Sequence, residues 1–68
     1  MTESQIRTRA KLNALANDAR RVALQDKQVA LVVRDLSTGH YLIANTKPTG
    51  CVIVFATDGK RERWVRNF

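Results

Sequence analysis

The sequence predicts an α+β domain: one N-terminal amphipathic helix packed on a four-stranded antiparallel β-meander, in the order α-β-β-β-β. Three observations carry this. Residues 2–27 contain no Gly or Pro and repeat apolar side chains at helical spacing. From Val29 onward, short β-branched runs alternate with Gly-containing turns. Every connection between those runs is short, which suits antiparallel neighbours. At 68 residues the chain has room for one core, so residues 1–68 are expected to be a single domain.

The helix is expected over residues 2–27. Thr2 and Gln5 have the spacing of a capping box, with Ser4 as a competing N-cap. Leu12, Leu15, Ala16, Ala19, Val22 and Ala23 fall on one face and form a stripe of low volume that lets a helix lie close to a sheet. Arg9, Asn13, Asn17 and Arg20 mark the wetter, basic side.

Four strands follow. The first is expected over Val29–Leu36, closed by Ser37-Thr38-Gly39, and the second over His40–Thr46. Lys47-Pro48-Thr49-Gly50 is a loop, and the third strand runs from Cys51 to Thr57. Asp58-Gly59 is the strongest hairpin signal in the chain, leading into a fourth strand over Lys60–Asn67.

A two-residue loop at Asp58-Gly59 would place Thr57 opposite Lys60 and Ile53 opposite Trp64. One sheet face would then show Cys51, Ile53, Phe55 and Trp64, and these are expected to meet Leu15, Ala19 and Val22 of the helix. The other face would show Val52, Val54 and Val65 with Val32 nearby, rimmed by Arg61 and Arg63. One helix covers one face, so the second face is expected to be an interface, either in a homodimer or with a different protein.

The chain carries 12 Lys/Arg against 6 Asp/Glu, a net charge of +6, which attracts polyanions such as nucleic acid or an acidic protein complex. The C-terminal stretch Lys60–Phe68 holds four basic residues and two aromatics. Arg61, Arg63 and Arg66, with Arg9 and Arg20 of the helix, are therefore the expected nucleic-acid contacts. Trp64 is expected to be core.

Catalysis has no constellation to support it. His40 is the only histidine and starts a strand after a turn, where a surface role is the simple reading. Cys51 is the only cysteine, which excludes an internal disulfide and a multi-cysteine zinc site, and it is expected to face the helix as a small hydrophobe. No carboxylate pair has acid–base or metal-binding spacing, and each glycine falls in a turn rather than a phosphate loop. No cofactor, metal or membrane partner is expected. With no apolar leader at the N-terminus, a cytoplasmic location is expected.

The turn Asp58-Gly59-Lys60-Arg61, with Trp64-Val65 behind it, resembles the tail of a small anti-CRISPR family. The overall format is similar to the small accessory proteins with which bacteriophages disable host factors. The likeness covers residues 58–65 and carries over no functional residue. It implies an inhibitor or adaptor that binds a host protein complex through an exposed sheet face. The composition itself implies a basic, non-enzymatic module that binds nucleic acid.

Overall fold

The computed structural model describes residues 2–65. Helix α1 spans Glu3–Asp26. Its start is the expected capping box: the Gln5 amide donates to Thr2 Oγ1 at 3.3 Å, and the Thr2 amide donates to Gln5 Oε1 at 2.9 Å. Its end is Lys27 in the left-handed region, φ 55°, whose amide donates back to the Ala23 carbonyl.

The strands are β1 (Ala30–Asp35), β2 (Tyr41–Ala44), β3 (Cys51–Thr57) and β4 (Glu62–Trp64). They form one sheet in which every hydrogen-bonded pair is antiparallel. The expected helix and four-stranded antiparallel sheet are therefore present, but the spatial order is β2-β1-β3-β4 rather than the sequential order of a meander. β1 is central and pairs on both sides, so β2 and β3 run parallel to one another with β1 between them. Residues 45–50 must carry the chain back along the length of β1. The Asn45 side chain donates to Gln28 near one end of β1, and the Leu36 amide donates to the Gly50 carbonyl at the other.

The face that the helix leaves open is itself partly buried. Leu31, Val33 and Cys51 are buried in a cluster of their own, with Ile53 and Ala56 packed against it. Cys51 is thus a buried hydrophobe as expected, but on the side away from the helix.

The main core lies between α1 and the sheet. Leu12, Ala16, Ala19 and Ala23 pack against Ala30, Val32, Val54 and Phe55, with Leu15, Tyr41 and Ile43 at the margin. Val22 was expected in this core and is 37% exposed. Ile53 belongs to the opposite cluster. For Ile53 the physical reason is a β-bulge: Val32 pairs with Phe55 and Val33 with Ile53, leaving Val54 as the extra residue in β3. Consecutive residues Val54 and Phe55 both enter the helix-side core, which simple alternation forbids.

The β3–β4 connection also differs from the expected two-residue loop. Asp58 Oδ1 accepts from the amides of Lys60 (2.8 Å) and Arg61 (2.6 Å), and the Asp58 amide donates to the Arg61 carbonyl. The loop is therefore residues 58–61, and Thr57 pairs with Glu62, Ala56 with Arg63 and Phe55 with Trp64. This register is two residues from the expected one. Because the shift is even, Trp64 stays on the same face as Phe55.

A cleft between helix and sheet

At 1.5 Å per residue the 24-residue helix is about 36 Å long, whereas the seven-residue β3 spans about 23 Å. The helix overhangs the sheet. Its buried stripe shows which end does so: Ala23, Ala19, Ala16 and Leu12 are seated, and the same face continues towards the N-terminus as Arg9, Thr8 and Gln5. Beyond Leu12 this face of the helix carries no apolar residue, and a cleft opens beneath it.

That cleft has a volume of about 990 Å³. Gln5, Thr8, Arg9 and Asn13 form its helix wall, and Arg34, Tyr41, Trp64 and Val65 lie across from them. Sheet pairing assembles the floor, since Arg34 is the cross-strand partner of Tyr41. The Arg34 guanidinium carbon lies 5.9 Å from the Tyr41 ring centroid, and Lys11 Nζ also lies 5.9 Å from it. The Nε of Arg34 is buried with no hydrogen-bond partner among the described residues. Trp64 packs against Phe55 with ring centroids 4.5 Å apart, yet it is 40% exposed, so it is half core and half surface rather than the core residue expected.

The expected nucleic-acid residues do not form one surface. Arg9 lines the cleft. Arg20 is engaged elsewhere: its guanidinium makes two bonds to the Glu62 carboxylate, one of them 3.0 Å, donates to Asn17, and lies 5.4 Å from the Phe55 ring centroid. Arg63 is exposed and, through its pairing with Ala56, belongs to the face away from the helix. Arg61 is exposed on the β3–β4 loop. Arg66 lies outside the described residues.

The expected protein interface is corrected. Val32 and Val54 have no exposed surface, because the bulge and the strand pairing turn both into the helix-side core. Val52 and Val65 are half-buried, and Val65 lines the cleft. The four valines do not form an open face.

Arg34 and Tyr41 are the residues that sequence reasoning missed. The one available signal was the interruption of the apolar stripe at Gln5, Thr8 and Arg9, which marks where the helix leaves the sheet. Among the described residues no group of His, Cys, Asp and Glu could hold a metal ion, and no helix is long and apolar enough to cross a membrane. Comparison with family models, curated proteins and solved structures finds no match to the chain.

Proposed function

We propose that the protein is a non-enzymatic module that binds nucleic acid, and that the cleft beneath the N-terminal half of α1 is its binding site. The observation that carries this reading is the convergence of Arg9, Arg34, Tyr41 and Trp64 on one concave surface. Guanidinium groups neutralise phosphates and release condensed counterions, while aromatic faces accept bases. The net charge of +6 adds long-range attraction for a polyanion. Docking of a host protein complex on an open sheet face has less support, since Val32 and Val54 are buried beneath the helix and Leu31, Val33 and Cys51 are buried on the other side.

The test is an anisotropy titration of a labelled oligonucleotide across a salt series. The expected result is a linear fall of log K with log[salt], losing about 0.7–0.9 in slope for each phosphate contact removed. Arg9→Gln and Arg34→Gln should each weaken binding and flatten the slope, with circular dichroism confirming that the fold is retained. Arg61→Gln with Arg63→Gln should change it less. The absence of binding at low salt defeats the reading, and loss confined to the Arg61/Arg63 variant moves the site to the β3–β4 edge.

A further inference from the structure

We infer that the cleft takes an unpaired nucleotide of a single strand, its base against Trp64 and its neighbouring phosphate between Arg9 and Arg34. This inference rests on the nucleic-acid reading above and specifies its ligand.

The two aromatic residues of the cleft are not equivalent. Tyr41 already has two cations near its ring, Lys11 and Arg34, each 5.9 Å from the centroid. Trp64 packs against Phe55 with the two ring planes inclined by 48°, is 40% exposed overall, and lines the cleft. An aromatic ring held by a core neighbour and still part-exposed can serve as a stacking platform whose conformational cost is met in the free protein. Trp64 is therefore the base-stacking residue, and Tyr41 holds the cations in place.

Arg34 supplies the second half of the site. Its buried Nε–H has no acceptor among the described residues, although buried donors are almost always paired. A small outward movement onto a phosphate oxygen would satisfy that donor and keep the guanidinium close to Tyr41. Arg9 faces it from the helix wall.

The recessed platform selects against a duplex. Bases inside a double helix present their edges to a protein while their faces are stacked on one another, and exposing a face requires unstacking. A single strand offers base faces freely, and stacking tolerates any base. The cleft volume of about 990 Å³ lies at the upper end of the roughly 300–1,000 Å³ typical of small-ligand sites, consistent with one or two nucleotides rather than a groove that tracks a helix.

Trp64 is the only tryptophan, so its fluorescence reports on this position alone. The experiment titrates the full chain with a single strand of about 8 nucleotides, the duplex of the same sequence, an abasic strand of equal length, and polyglutamate. The expected result is quenching of Trp64 and tightest binding by the single strand. Trp64→Ala, followed by anisotropy, should weaken that binding about 5- to 150-fold while leaving the abasic strand unaffected. Trp64→Phe should recover most of the loss and guards against a folding defect.

Duplex or abasic binding as tight as the single strand, with Trp64 fluorescence unmoved, overturns the inference and leaves the nucleic-acid reading standing. Polyglutamate binding equal to the single strand, or no binding by any oligonucleotide, overturns both.

Discussion

Arg20 on α1 grips Glu62 on β4 through two guanidinium nitrogens, and this pair ties the shortest strand of the sheet to the helix. The Arg20 side chain donates to the Glu62 carboxylate and holds it below its ordinary range, while Glu62 raises the guanidinium in return. Asp35 is also lowered, chiefly by the Ser37 hydroxyl, and Asp58 by the backbone amides of Arg61 and Lys60. A carboxylate with a lowered folded-state value contributes stability that is complete above its unfolded value and lost as pH falls through the folded one. Thermal melts should therefore be flat near neutrality and fall below about pH 4.3. Glu62→Gln should lower the neutral melting temperature slightly and reduce the acid-dependent fall. An unchanged acid slope in that variant would mean that the pair does not couple to folding.

Phe55 should behave as the core residue that alternation along β3 implies, and Val22 should depart from what the helix stripe implies. Phe55 is fully buried beside Val54, so Phe55→Ala should cost about 3–5 kcal/mol. That is comparable to the whole stability of a chain this size. Val22 is 37% exposed, and Val22→Ala should stay within about 0.5 kcal/mol. Urea denaturation measures both, and a large loss for Val22→Ala would place that residue in the core.

Lys27 ends the helix with a φ of 55°, a region that strains a side chain. Glycine fits it freely but loses more conformational entropy on folding. The balance favours Lys27→Gly by up to about 1 kcal/mol, or a rise of roughly 4–8 °C in Tm. A fall in Tm would show that the lysine side chain stabilises the helix end by more than the strain costs.

Gly59 has a φ of 92°, and a Cβ there would lie 2.6 Å from Leu24 Cδ2. Leu24 is exposed and can swing aside, so backbone strain is the lasting cost. Gly59→Ala should destabilise by about 1–2 kcal/mol, and adding Leu24→Ala should not rescue it. Full rescue in the double variant would assign the cost to the contact instead.

The helix and β3 were legible in the sequence because their signals are local. Thr2 and Gln5 cap each other across three residues, and Asp58 and Gly59 end β3 with their own side chain and backbone. Strand order was not legible, because a six-residue connection after Ala44 serves equally for a hairpin or for a crossover over a central β1. The face assignment failed at Val54, where the pairing of Val32 with Phe55 skips a residue and exchanges the two sides of β3. The cleft pairs Arg9 with Arg34 and Tyr41, which only the docking of helix on sheet brings together.

The bulge makes β3 a strand with one residue too many. Remove Val54, and Cys51, Val52, Ile53, Phe55, Ala56 and Thr57 alternate between the two sides without a break. Deleting Val54 or Phe55 would therefore preserve the register of everything around it. Deleting Val52 or Ile53 would instead reverse the sides of the neighbouring residues. Tolerance to shortening in this strand is thus confined to two adjacent codons, and of these the valine leaves the smaller void.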